Sequence, residues 1–370
     1  MALGYCPAIL EHMKYVIGEN APETKITPSG FLKVLLEKGA QASPMGDPLT
    51  LSNEAGHIKD LRLKYYTRTE GSQISEIDNC DINLVPEYSE ITIDSVATAK
   101  FGMHFSDETI ARYCDEASRS VVLGGAPTPF MQEHLAGLMA SMNGFVTAIN
   151  SGLTSSVVWG VNAVTGNNTA VTVNFNQDLT VDDFTEGWTK VLNDYAFNEG
   201  MGRPIVVGSG LVNAAAIQAR NGLMTNYAQM NNNAGFGAFD YYHDIISAST
   251  WGANQFGVFQ PGTFGLVQIN KYTGFRAGQK GTSWFWNMPI PMDMPGAEGL
   301  LPLFNIDFQM KYLDCPTTVI VGEEEVTYQR GWSLIMSKEY ALWQVPNDAY
   351  QATDRLTGVN GAFRYTATNA

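Results

Sequence analysis

One segment in the middle of the chain limits the possible folds more than any other. Leu135–Leu153 carries no charged side chain, and Thr128-Pro129 before it suits the N-cap and first position of a helix. Polar residues and glycines interrupt the segment, so we expect a long amphipathic helix and not a membrane span. Its apolar residues recur at three- and four-residue spacing: Phe130, Met131, Leu135, Leu138, Met139, Met142, Phe145, Val146 and Ile149.

Composition narrows the function classes. The chain has 370 residues, of which 45% are hydrophobic, so it can bury a large core. Only 16% are charged, against roughly 25% in a typical soluble domain. A low charge content suits a protein whose surface is covered by other copies of the chain, because interface cores are depleted of charged residues. An ordinary β protein rich in Asn and Gly would explain the low charge content equally well. The net charge of −15 argues against a dedicated nucleic-acid binder, so contact with a phosphate backbone would be weak and non-specific.

The first hundred residues contain little inward-facing apolar material. Residues 1–56 hold two short amphipathic patterns, near Pro7 to Ile17 and Gly30 to Lys38, which predict an arm without its own core. Residues 57–105 alternate between apolar and polar side chains around an acidic, turn-rich tip, and they predict a long hairpin. Since a two-stranded hairpin is marginally stable in water, we expect both segments to lie on other molecules.

The rest of the chain predicts helices and strands without strict alternation, which indicates an α+β fold. Ser106 is a helix N-cap, and a second amphipathic helix begins at Thr180 and ends near Gly200. Residues 156–175 predict strands around a turn at 165–168, and 221–262 predict long ordered loops. Strands are also predicted at "PIVV", "FGLVQINKY", "FNIDFQMKYL", "TTVIVGEEEVTYQR" and "ALWQV". Within "TTVIVGEEEVTYQR", Gly322 to Glu324 predict a hairpin turn.

A glycine loop at 208–210 is the first candidate for chemistry. Gly208-Ser209-Gly210 follows the strand at Ile205 and precedes an alanine-rich helix, as in a dinucleotide-binding fold. That fingerprint requires a third small residue where Asn213 stands, and an acid about 20 residues further on. No acid follows before Asp240. We therefore interpret the loop as a strand-to-helix corner.

Other candidates are weaker still. The five histidines fall in separate segments, and the cysteines, Cys6, Cys80, Cys114 and Cys315, form no C-x-x-C pair, which excludes a recognisable zinc motif and suits reduced thiols. His243 and Asp244 are adjacent in sequence, and adjacent side chains rarely face one another as an acid–base pair does. Residues 78–83 lack the glycine and the glutamate that a calcium-binding loop requires. The paired acids at 182–183 suit the first turn of a helix, where they favour the helix dipole. Trp284 and Trp286 suit packing better than sugar stacking. We expect no catalytic residue, metal or cofactor.

The order of these features resembles the major capsid proteins of tailed bacteriophages, which have the fold named after the Hong Kong 97 phage. The block at 179–220, with a helix, a turn, "PIVVGS" and a second helix, is similar to part of their axial domain, and 308–346 is similar to their closing strands. The resemblance implies an N-terminal arm (1–56), an extended hairpin loop (57–105), a peripheral domain (106–178 and 301–370) with a spine helix at about 129–151, and an axial domain (179–300).

The resemblance also implies a function. Such proteins assemble through pentamers and hexamers into an icosahedral shell around double-stranded DNA, with portal and decoration or scaffolding proteins as partners. The implied location is the virion capsid, assembled in the bacterial cytoplasm; Glu11 and Lys14 interrupt the apolar stretch of an export signal. Some members cross-link through Lys and Asn, and no pair here matches that role. An encapsulin-like compartment, a monomeric β-rich carbohydrate-binding protein and a nucleotide enzyme are the alternatives.

Overall fold

The fold is α+β, as predicted. A computed structural model describes residues 30–42, 50–52, 61–66, 88–93, 97–109, 111–112, 115, 129–175, 181–198, 200, 202–216, 239–272, 277–289, 304–313, 317–321, 324–328, 330–347 and 358–369. The helices are α1 (Gly30–Ala42), α2 (Pro129–Ser155), α3 (Val181–Phe197) and α4 (Ile245–Thr250). The strands are β1 (Thr50–Ser52), β2 (Leu61–Tyr66), β3 (Tyr88–Ile93), β4 (Ala97–Ser106), β5 (Val171–Asn174), β6 (Ile205–Gly208), β7 (Asp240–His243), β8 (Gln255–Phe259), β9 (Phe264–Asn270), β10 (Gly278–Lys280), β11 (Ser283–Pro289), β12 (Asn305–Leu313), β13 (Thr317–Val321), β14 (Glu324–Tyr328), β15 (Gly331–Gln344) and β16 (Ala362–Thr368).

A seven-stranded sheet is built around the long strand β15. Residues 331–337 pair with β12, and residues 339–344 pair with β9 on the same edge. On the opposite edge, residues 331–340 pair with β4. The strand order is β1-β9-β15-β12-β11-β10 with β4 beside β15, so one strand joins two branches of the sheet.

A five-stranded sheet, in the order β5-β16-β8-β6-β7, has apolar residues buried on both faces. Ile205 and Val207 of β6 belong to one core cluster, and Val206 between them belongs to a second. Because successive side chains of a strand point to opposite faces, an unbroken apolar run is what a strand buried on both sides requires. The run "IVV" therefore marks a central strand of this sheet.

The helices fill the two cores. The predicted apolar stripe of α2 is confirmed where its side chains are described, since Met142, Phe145, Val146 and Ile149 are buried. They join the first core, with α1 and the seven-stranded sheet. Trp188, Val191 and Tyr195 of α3 join the second core, beside the five-stranded sheet. Among the described helices, none is both long and apolar enough to cross a membrane.

The segment 30–38 was expected to belong to an arm that lies on another molecule, and this expectation is wrong. It does not depend on another molecule, because five of its side chains, Phe31, Leu32, Val34, Leu35 and Leu36, are buried in the chain's own first core. Five apolar residues within six positions cover more of a helix than the narrow stripe of a surface-bound arm. The strand β4 likewise pairs with the chain's own β15. Residues 1–29 lie outside the described part of the chain.

Three further predictions are wrong in part. Residues 157–161 are not a strand: the chain closes a tight turn at 162–167, where the Asn162 side chain accepts a hydrogen bond from the Val164 amide. The strand β5 pairs in parallel with β16 and not in a local hairpin. The predicted loop 221–262 contains β7, α4 and β8, while 217–238 lie outside the described residues. The β13–β14 hairpin is confirmed, with Glu324 paired to Val321 at its tip, and "ALWQV" is confirmed as a strand at the end of β15.

Candidate functional site

The glycine loop at 208–210 forms a packed corner. A Cβ atom at Gly208 would lie 2.7 Å from the Cβ of Phe256, so the neighbouring strand fills the space. The Gly208 carbonyl accepts hydrogen bonds from the Tyr241 hydroxyl (3.0 Å) and the Asp244 amide (2.9 Å). Gly210 has a φ of +60°, which favours glycine at the turn into helical residues 211–216. The corner thus connects β6 to the helix that follows. The Gly208 carbonyl is already hydrogen-bonded within the chain.

The adjacent pair His243-Asp244 does not form an acid–base pair. Asp244 is fully buried and caps α4, because its Oδ1 accepts from the Ile246 amide at 2.9 Å. Its Oδ2 accepts from the Phe31 amide of α1 at 3.2 Å, and Asn150 Nδ2 of α2 lies 3.3 Å from Oδ1. His243 is exposed. Asp244 therefore holds three helices together.

The remaining candidates do not converge on one site. His104 Nδ1 lies 3.1 Å from Ser333 Oγ across β4 and β15. Within the described ranges, no group of three or more His, Cys, Asp or Glu side chains could hold a metal ion. Outside the described part of the chain lie His12, His57, the four cysteines, residues 78–83, and the side chains of His134, Asp182 and Asp183.

The tryptophans of β11 pack as predicted. Trp284 and Trp286 are half-buried against the first core. The Trp286 ring stacks on Phe308, with centroids 5.4 Å apart and an interplanar angle of 5°. Its aromatic face is used for packing across β11 and β12.

Two hairpins lie outside the large sheets. The predicted pairing of 61–66 with 88–93 is confirmed as an antiparallel pair, β2–β3, from Leu61↔Ile93 to Tyr66↔Tyr88. β13 and β14 form a second antiparallel pair. In the strand pairings of the described residues, neither hairpin joins a third strand. On β4, the Phe101 side chain is 39% exposed.

A buried cation on β15 was not anticipated from the sequence. Lys338 is 1% exposed, its Nζ donates to Asn270 Oδ1 at 2.8 Å, and it lies 5.2 Å from the Phe304 ring centroid. Burial lowers the pKa of Lys338 to about 8. The alternation of Leu334, Met336, Lys338 and Tyr340 places this lysine on the core face, and that alternation is the sequence signal.

The chain matches no protein-family model and no curated protein. Solved structures similar to it include one of Mycobacterium phage Adephagia, at 11% identity over 95% of each chain with a TM-score of 0.46. Another is of Mycobacterium phage Cain, at 12% identity over 98% of each chain with a TM-score of 0.40. A third is the mature capsid of bacteriophage PhiM1, at 11% identity over 87% of this chain and 86% of that chain, with a TM-score of 0.37. The chain is thus similar to structures from phages, one of which is a capsid.

Proposed function

We propose that this chain is the major capsid protein of a tailed bacteriophage, which self-assembles into an icosahedral shell around the phage genome and has no catalytic role. The observation that carries the proposal is the pair of two-stranded hairpins, β2–β3 and β13–β14, outside the large sheets. A two-stranded hairpin is marginally stable alone in water, so each requires a further surface. In a shell, a neighbouring copy supplies that surface.

The low charge content supports the same proposal. Only 16% of the residues are charged, which suits a molecule with much of its surface in contacts, because interface cores are depleted of charged residues. Copies that each carry a net charge of −15 repel one another. At physiological ionic strength this repulsion is screened beyond about 8 Å. Many modest, symmetry-related contacts can then hold a closed particle together.

The finer assignments are part of the proposal. The hairpin β2–β3 reaches a neighbouring subunit, α2 is the spine helix, and 179–300 lie at the centre of pentamers and hexamers. Portal and decoration or scaffolding proteins bind the shell, which assembles in the bacterial cytoplasm and becomes the virion capsid. Because the net charge is −15, contact with the packaged DNA is weak and non-specific.

Purification of the full chain tests the proposal. We expect light scattering and negative-stain electron microscopy to show closed particles, or rings of pentamer and hexamer size, as the protein concentration rises. Nuclease-protected DNA in particles from infected cells supports a genome shell, whereas a specific protein cargo would identify a compartment of the encapsulin type. A monomer at every concentration, with or without added salt, would contradict the proposal.

A further inference from the structure

One face of the seven-stranded sheet packs on the first core, and the opposite face carries basic and hydroxyl side chains. A row of consecutive cross-strand partners on β11, β12, β15 and β4 contacts that core: Trp284, Met310, Leu334 and Met103. Because successive side chains of a strand point to opposite faces, the adjacent row points away from the core. The adjacent row consists of Lys280, Ser283, Lys311, Ser333 and His104.

Three exposed lysines, Lys100, Lys280 and Lys311, define a surface on this opposite face, which we call the lysine face. Lys100 of β4 pairs with Ser337, four residues along β15 from Ser333, so it lies on the same face as the row. Since neighbouring strands are about 4.8 Å apart, Lys280 and Lys311 lie roughly 10 Å apart across β11. Among the ion pairs formed within the described residues, none includes these three lysines.

The acidic residues of this face do not neutralise the three lysines. The strands β4, β10, β11, β12 and β15 contain two acidic residues, Asp307 and Glu339. Asp307 is fully buried, and it accepts hydrogen bonds from the Lys271 and Tyr272 amides, at 2.9 and 3.1 Å, and from Asn287 Nδ2 at 2.8 Å. Glu339 forms an ion pair with Lys271. The lysine face is therefore a positive surface on a chain whose net charge is −15.

The sequence between β2 and β3 supplies the complementary charge. Residues 69–87, which we call the acidic tip, lie outside the described part of the chain. They contain no lysine or arginine, and they contain five carboxylates: Glu70, Glu76, Asp78, Asp81 and Glu87. Complementary charges steer association and fix the register of two partners. A nucleic acid is less suited to the lysine face, because a chain with a net charge of −15 repels a polyanion as a whole.

We propose that the lysine face binds the acidic tip of a second copy of this chain. The inference rests on the proposed assembly, and it specifies which surface of a neighbouring copy receives the hairpin β2–β3. Each ion pair is solvated and weak alone, but the contact is repeated at every copy in a closed shell. The contact also offsets part of the repulsion between copies that each carry a net charge of −15.

Charge reversal on the lysine face is the first test. The face variant replaces its lysines with glutamate: Lys100→Glu, Lys280→Glu and Lys311→Glu. Because these side chains are exposed, we expect the circular dichroism spectrum and the unfolding midpoint to match those of the wild-type protein. The concentration at which particles form, measured by light scattering, should rise at least about tenfold, since three weak attractions become repulsions.

Charge reversal on the acidic tip provides the matched comparison. The tip variant carries three substitutions, Glu76→Lys, Asp78→Lys and Asp81→Lys, and it should show the same defect. General repulsion between copies does not explain both defects, because the face variant is more negative than the wild-type protein and the tip variant is less negative. A chain with all six substitutions regains complementary surfaces, and we expect it to assemble at the wild-type concentration.

Mixing the two variants tests whether the contact joins different copies. The tip of each variant is complementary to the face of the other, so the mixture should form particles that contain both, whereas neither variant does so alone. No rescue by mixing or by the six substitutions would overturn the proposal. A face variant that assembles like the wild-type protein but no longer binds a double-stranded DNA fragment would overturn it too, and would assign the face to phosphate groups. If the wild-type protein itself forms no particles, the proposed function fails and this inference fails with it.

Discussion

Lys338 is a cationic side chain in an environment that disfavours its charge, because it is buried. Its pKa is about 8 in the folded protein, against 10.5 as the ordinary value. Between these two values the unfolded chain binds more protons than the folded one, so the free energy of unfolding rises with pH in that window. The gain attributable to Lys338 is about 3 kcal/mol when complete.

We therefore expect Lys338→Met to remove this rise when urea unfolding is measured from pH 7 to pH 10.5. The comparison is with the wild-type protein at each pH, because burial raises the pKa of the Tyr241 hydroxyl. This tyrosine therefore ionises only in the unfolded chain at the upper end of the range, and it lowers the free energy of unfolding as pH rises. Lys311→Met, at an exposed position of β12, is the control and should keep the wild-type slope. Equal slopes for Lys338→Met and the wild type would show that the lysine is hydrated.

The sequence could reveal which face Lys338 occupies, but not that a charge is tolerated there. The period of two in "SLIMSKEY" aligns it with Leu334 and Met336. Its partner, Asn270, is 68 residues away in the sequence. Only the pairing of β9 with β15 brings the two together.

The helix α1 depends on a distant side chain. Its amide groups at Phe31 and Leu32 donate to Asp244 and Asn150, and a side chain at Gly30 would collide with Asp244. Loss of a helix N-cap costs about 0.5–2 kcal/mol, and a buried donor left unpaired costs about 1–3 kcal/mol. We expect Asp244→Ala to lower the free energy of unfolding by roughly 3 kcal/mol, measured with urea.

A matched control is available on the neighbouring strand. Asp240 of β7 forms ion pairs with Lys38 and Arg203, each at 3.0 Å, and so also contacts the end of α1. These pairs are partly solvated, and Asp240→Ala should cost no more than about 1 kcal/mol. If both variants lose the same stability, the buried carboxylate has no special role at the three helices.

The elements predicted well are those with a clear period. α2, α3, β9 and β12 follow from helical or alternating patterns, because their apolar residues face one core or the other. β7 and β8 were missed because glycine, asparagine and aromatic residues around them are also typical of ordered loops. The parallel pairing of β5 with β16 joins positions almost 200 residues apart, which no local pattern encodes.

The two large sheets make the described body interdependent along the chain. β16, the last strand, lies between β5 and β8, and β15 joins β4 to β9. Strands from the predicted axial segment and from the peripheral segment thus share both sheets, so we expect them to unfold together. The hairpin β2–β3 is different, because in the described strand pairings it pairs only with itself.

This difference predicts that folding and assembly can be separated. Replacing residues 61–93 with a short Gly-Ser linker should preserve the circular dichroism spectrum and a cooperative unfolding transition, because both sheets are retained. The same variant should form no closed particles in sedimentation and electron microscopy, since the surface between copies is lost. Truncation before β16 is the contrast, and it should abolish cooperative unfolding because an interior strand of the five-stranded sheet, between β5 and β8, is removed. Particles of unchanged size from the hairpin variant would show that β2–β3 does not bridge subunits.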